Sequence, residues 1–173
     1  MCREKLGYVL LAVLVAAASG AFSQDATPHV QEQALVKTTI CAIQKDPVAF
    51  QGRTVEVRGT RTGGWESGGL ESGGCYLYPR FAEESLESEE GRQYDKLANA
   101  HFEGLPGCAD CWKYAVTATF VGKIETVYHR DEHGEPVRDD YEGFGHLNEA
   151  PTQIVVTSIS NVKSRERRWP RPN

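Results

Sequence analysis

Hydrophobic and polar positions alternate clearly in residues 50–61. Val55 and Val57 alternate there with three polar residues, Thr54, Glu56 and Arg58. A two-residue period bounded by glycines predicts a strand with one buried face. Gly59 lies inside the run, where a strand is expected to bend or bulge. We therefore interpret this stretch as the first strand of a small barrel.

Three further stretches have the pattern of strands. Residues 113–128 alternate over their whole length, and both faces are moderately apolar, which predicts a long central strand. Residues 75–78 predict a short strand that ends at Pro79, and residues 152–162 predict a closing strand. The core candidates of the closing strand are Ile154, Val155, Val156 and Ile159.

Two stretches predict helices. Residues 38–45 combine a capping threonine with apolar residues on one side. The helix should stop at Asp46, because the following Pro47 disfavours helical geometry in the residue before it. From Tyr94 onward, apolar residues recur at three- and four-residue spacing as far as Phe102. The glutamates of residues 83–90 are interpreted as a solvated face or loop.

Together these elements predict a mainly β fold, a small OB-like five-stranded barrel with one or two short helices. An open β-sandwich and an α+β arrangement are the alternatives. We place the barrel domain at residues 38–162, after a flexible leader at residues 24–37. Residues 163–173 are predicted to form a basic, disordered tail.

Residues 1–23 have the order of a secretory signal peptide. Arg3 and Lys5 precede an apolar run, and Ala21 and Ser23 supply the small residues before a cleavage site. The run is shorter than the roughly 20 residues of a membrane span. We therefore expect a secreted or periplasmic protein, and an uncleaved anchor is the alternative.

The charge distribution argues against nucleic acid as a partner. The chain carries −5 in total; cleavage after Ser23 removes a net +1, and residues 163–173 hold a net +4, which leaves −10 for residues 24–162. Affinity for nucleic acid comes largely from Lys and Arg that displace counterions from phosphates. We therefore expect poor binding, and we interpret the basic residues at the end as a solubilising terminus.

Two segments of the sequence are familiar as a pair. The first combines Thr39-Ile-Cys-Ala-Ile with Pro47, Phe50, Gly52 and Val55-Glu-Val-Arg-Gly59, and the second combines Gly143-Phe-Gly-His-Leu147 with Pro151 and Gln153-Ile-Val-Val156. They resemble the two ends of small exported bacterial OB-fold-like proteins, and the resemblance omits residues 83–107. It implies the fold and export, but no catalytic residues, because that family has no established activity and a fold does not decide function.

Four cysteines follow the signal segment: Cys41, Cys75, Cys108 and Cys111. An even number of cysteines in an exported protein favours disulfides. We favour Cys41–Cys75, which would tie the first helix to a strand, and a local Cys108–Cys111 bond. Sequence alone leaves the other pairings open.

The segment Cys108-Ala-Asp-Cys111 also raises two other interpretations. In a thiol-redox enzyme this pair would need cations or a helix N-terminus to stabilise the thiolate, whereas Asp110 opposes it. In a zinc site the pair would join His129 and His133, but the predicted strand between them would hold the ligands far apart. We therefore predict no cofactor and no metal.

The candidate ligand-binding residues are Arg58, Trp65, Tyr78 and His146. The first three belong to the strands and hairpin that should form the binding face of an OB-like barrel. His146 lies in the second of the two familiar segments. We expect a monomeric, non-enzymatic binding or structural module whose partner is a small molecule, a glycan or another protein.

Overall fold

Five strands close into a barrel in the part of the chain that a computed structural model describes, residues 34–62, 68–100, 113–139 and 142–167. The strands are β1 (Val36–Lys37), β2 (Thr54–Thr62), β3 (Gly69–Ser72), β4 (Cys75–Phe81), β5 (Tyr114–Thr126), β6 (Tyr128–Arg130), β7 (Pro136–Arg138) and β8 (Thr152–Glu166). The helices are α1 (Ile40–Lys45), α2 (Pro47–Phe50), α3 (Glu83–Glu87) and α4 (Glu89–Ala98), and a short 3-10 turn spans His146–Asn148.

The barrel closes because β2 pairs with both β3 and β5. Its strand order is β2, β3, β4, β8, β5 and back to β2. All neighbours are antiparallel except β4 and β8, which run parallel. This closed, mainly β arrangement with a few short helices matches a small OB-like barrel. It confirms the predicted fold class, and the closure distinguishes it from an open sandwich.

One apolar core fills the barrel. The alternation predicted for β2 is confirmed, because Val55 and Val57 are buried. Helix α4 adds Tyr94, whose ring lies edge-on to Phe120 with centroids 5.4 Å apart and also contacts Phe81. Complete burial of one such side chain contributes about 1.5–3 kcal/mol.

Helix α1 packs on the β3–β4 side of the barrel. It is capped by Thr39, whose hydroxyl accepts from the amide of Ala42. The Cys41–Cys75 disulfide joins this helix to the first residue of β4, as predicted. The other favoured pair, Cys108–Cys111, lies outside the described residues.

The predicted stop of α1 at Asp46 is confirmed, because α1 ends at Lys45. An additional short helix, α2, follows directly, because the Asp46 carboxylate accepts from the amide of Ala49 and Pro47 occupies the first helical position. Helix α4 begins at Glu89 rather than near Tyr94, because the Ser88 hydroxyl caps it. The glutamates of residues 83–90 are exposed on α3 and the first turn of α4, so they form the predicted solvated face rather than a loop.

Three strand boundaries also differ. Strand β4 continues past Pro79 to Phe81, because β8 pairs with it from Tyr78 to Phe81. Its ladder with β3 ends at Leu77, so no hydrogen bond to β3 is required of the Pro79 nitrogen. Strand β8 runs to Glu166, which pairs with Tyr114, so the predicted disordered tail begins as ordered strand. The predicted flexible leader ends in β1, which pairs with β2 in parallel.

Of the bulge or bend expected at Gly59, the bulge is wrong and the bend stays a prediction. The register between β2 and β5 is continuous through Gly59 opposite Ala118. A Cβ at this position would approach Ile40 Cδ1 and Leu70 Cβ at 3.1 Å, so close packing explains the glycine. The register shifts lie instead between β5 and β8.

Candidate ligand-binding face

The outward side chains of β2 form the centre of a polar face. Because Val55 and Val57 point into the core, Arg58, Thr60 and Thr62 point outward. The Thr60 hydroxyl lies 2.7 Å from the hydroxyl of Thr117 on β5. On the other side of β2, Glu71 of β3 is paired with Thr60. These neighbours create a surface of hydroxyls flanked by one cation and one carboxylate.

An open groove of about 440 Å³ runs along this face. Its lining residues are Arg58, Gly59, Thr60, Thr62, Glu71, Ser72, Gly73 and Thr117. The volume lies within the range of small-molecule sites. Ser72 and Gly73 adjoin the Cys41–Cys75 disulfide, so one end of the groove is fixed covalently.

Two tyrosines of β4 continue the face beyond β3. The Tyr76 ring covers Gly69, where a Cβ would lie 1.8 Å from a ring atom. Burial raises the pKa of the Tyr76 hydroxyl, electrostatic interactions with Tyr78 and Glu149 raise it further, and Arg61 lowers it. The Tyr78 ring packs against Gly145, where a Cβ would lie 2.6 Å from the ring. The loop before β8 therefore borders this part of the face.

The predicted ligand-binding residues have different outcomes. Arg58 lines the groove, whereas Tyr78 lies outward on β4, two strands from β2 and outside the groove lining. His146 directly follows Gly145, and its backbone therefore lies close to Tyr78. Trp65 lies outside the described residues. Ligand binding by these four residues stays a prediction.

Sequence reasoning missed the threonines and Glu71. Thr60 and Glu71 are distant in sequence from Thr117, and only the strand register shows that they are neighbours. The available signal was the alternation in β2, which already placed Thr60 on the same face as Arg58.

A second cleft lies beside the β6–β7 hairpin. It is lined by Thr126, Val127, Tyr128, Asp139, Glu142, Gly143, Phe144 and Asn148. The Arg138 guanidinium donates to the carbonyls of Glu142 and Asn148 at 3.1 Å, which holds the following loop in place. Leu147 and Asn148 adopt left-handed backbone conformations within this loop.

The two histidines of the zinc hypothesis have other partners. His129 Nδ1 lies 3.1 Å from Asp139 Oδ1, and His133 Nε2 lies 3.4 Å from Glu132 Oε1. Cys108 and Cys111 lie outside the described residues, so neither the redox nor the zinc hypothesis is tested. Within the described ranges, no three His, Cys, Asp or Glu side chains are grouped so as to hold a metal ion.

Comparison with known proteins gives no match: no family model fits the chain, and no curated protein or solved structure is significantly similar to it. In the portion of the chain that is described, no helix is both long enough and apolar enough to cross a membrane.

Proposed function

We propose that this chain is an exported, non-enzymatic, OB-like module that binds its ligand on the outer face of β2, β3 and β4. The observation that carries the proposal is the groove at Arg58, whose lining residue Glu71 is paired with Tyr76 on β4. The groove offers hydrogen-bond donors and acceptors, and the tyrosines offer flat apolar surface with polar ends.

The groove is pre-organised by its surroundings. Strands β2 and β3 belong to a closed barrel, and the Cys41–Cys75 disulfide closes a loop with a sequence separation of 34 residues. Such a loop contributes about 3–4 kcal/mol by restricting the unfolded chain. A rigid site loses less conformational entropy on binding, which supports a role in recognition.

Export is supported by two independent features. Residues 1–23 have the order of a signal peptide. The Cys41–Cys75 disulfide is compatible with an oxidising compartment outside the cytoplasm.

The proposal is tested by backbone amide NMR on the full chain, collected as the exported product. Four probes are titrated separately: maltohexaose, hexagalacturonate, a single-stranded oligothymidine and a tyrosine-containing peptide. We expect at least one probe to cause saturable shifts in β2, β3 and β4. Saturable shifts confined to the second cleft, or no saturable shift with any probe, would overturn it.

A further inference from the structure

The far ends of β5 and β8 form a two-stranded ribbon with a basic face. Lys163 lies opposite Thr117, and Arg165 lies opposite Ala115. One step further, the amide of Arg167 donates to the carbonyl of Lys113. Directly opposed residues of an antiparallel pair project from the same face. The Lys113 ammonium lies over the ring of Tyr114, 5.5 Å from its centroid, so three cations share one side of this ribbon: Lys163, Arg165 and Arg167.

This basic side faces solvent. Val116 points into the core and is fully buried, so its neighbours Ala115 and Thr117 point outward. Lys163 and Arg165 are exposed. Glu166 lies opposite Tyr114 and therefore belongs to the other side of the ribbon.

A bulge in β8 produces this arrangement. Thr119 lies opposite Ser160, whereas Thr117 lies opposite Lys163, so β8 contributes one residue more than β5 between these pairs. Between the two register shifts the outward residues of β8 are Ser158 and Ser160, and after the second shift they are Lys163 and Arg165. Asn161 sits in the bulge with a left-handed φ of 54°. Without the extra residue, Lys163 and Arg165 would point to the inner side.

The basic side is continuous with the groove. Thr117 lines the groove and is the neighbour of both Thr60 and Lys163. Arg58 lies opposite Thr119, one outward position along β5 from Thr117. The groove and the ribbon therefore form one surface, the basic face, which carries Arg58, Lys163, Arg165 and Arg167 and has Glu71 at its far edge. This local charge contrasts with the net −10 of residues 24–162.

We propose that the ligand of this module is a linear acidic polysaccharide, which lies in the groove of β2 and β3 at Arg58 and continues along the basic face to Arg165. This inference rests on the proposed function and names its ligand class. The Lys and Arg side chains pair with carboxylate or sulfate groups through charge-assisted hydrogen bonds. The hydroxyls of Thr60, Thr62 and Thr117 bond the sugar hydroxyls between the charges.

The side chains of the ribbon favour a polysaccharide over other polyanions. Its described outward positions carry alanine, threonine, lysine and arginine. Single-stranded nucleic acids are usually held by aromatic rings interleaved with cations, and an anionic membrane by cations together with inserted apolar residues. The cations and hydroxyls of this surface are the groups that an acidic sugar chain binds.

The test compares hexagalacturonate binding by the full chain and by the K163Q/R165Q/R167Q variant, using calorimetry at low salt. We expect affinity to fall by about tenfold or more in the variant and to fall with added salt. The matched control, K45Q/R53Q/K96Q, loses the same charge at exposed sites away from the ribbon and should change affinity by less than about twofold.

The charge-preserving variant K163R/R165K/R167K separates loss of charge from loss of folding, and should bind within about threefold of the natural chain. Unchanged affinity in the glutamine variant would overturn the inference. So would maltohexaose, oligothymidine, or vesicles of phosphatidylcholine with phosphatidylglycerol binding as tightly as hexagalacturonate. If another probe binds the face and hexagalacturonate does not, the inference fails and the proposed function stands. If no probe shifts the face, both fail.

Discussion

The two sides of the barrel are built differently, although β5 belongs to both. Toward β2, one register holds from Thr54 opposite Lys123 to Thr60 opposite Thr117. Toward β8, the register shifts twice. On the regular side, simple alternation decides which residues are buried. On the side toward β8, the extra residue at the Asn161 bulge places Lys163 and Arg165 on the outer surface.

The largest expected effect is on the regular side. Phe120 is fully buried opposite Val57 and packs against Tyr94 and Phe81. We expect Phe120→Ala to lower the free energy of unfolding by about 3–5 kcal/mol, because it removes apolar contact and leaves a cavity. Urea denaturation followed by circular dichroism measures the loss.

The neighbouring outward residue is the matched control for this substitution. Thr119 lies next to Phe120 on β5 and points out of the core. Thr119→Ala should change the free energy of unfolding by no more than about 1 kcal/mol. Similar losses for both variants would show that the alternation does not mark burial on this side.

The second effect concerns the covalent fixation of the groove. The β3–β4 side is fixed by Cys41–Cys75, whereas the described pairing of the ribbon consists of backbone hydrogen bonds. We expect C41S/C75S to lower the free energy of unfolding by about 3–4 kcal/mol. Amide exchange should accelerate more at Ser72 and Gly73 than in the ribbon.

Thiol counting provides the check on this prediction. Alkylation of the denatured, unreduced protein followed by peptide mass mapping should find Cys41 and Cys75 blocked by their disulfide. Free thiols at both positions would contradict it. The same experiment reports the state of Cys108 and Cys111, for which we predict a second disulfide.

Alternation along the chain was enough to predict the barrel and its first strand, because burial in β2 follows the two-residue period from Val55 to Val57. The capping threonine and Pro47 predicted the helix that carries Cys41. The groove could be predicted only as far as Arg58, because Thr117 becomes the neighbour of Thr60 through long-range pairing. Residues 163–173, which include Lys163 and Arg165 of the ribbon, are predicted to be a disordered tail, because a run of arginines after Val162 is typical of a solvated terminus. The order of the ribbon comes from pairing with β5, which local composition does not encode.

The smallest effect tests the bulge itself. Asn161 holds a left-handed φ, which asparagine and glycine tolerate and β-branched residues do not. We expect Asn161→Val to cost about 1–2 kcal/mol, because it must strain the backbone or shift the register of β8. Asn161→Gly removes the same side-chain contacts, at 3.4 Å to Thr119 and Ser160, but keeps the conformation accessible, so it should cost less.

Urea denaturation of both variants compares the two losses in the free energy of unfolding. Equal costs would mean that lost side-chain contacts, and not the left-handed backbone, explain the residue. A larger cost for valine, together with weaker hexagalacturonate binding, would tie the conformation of this one residue to the outward direction of Lys163 and Arg165.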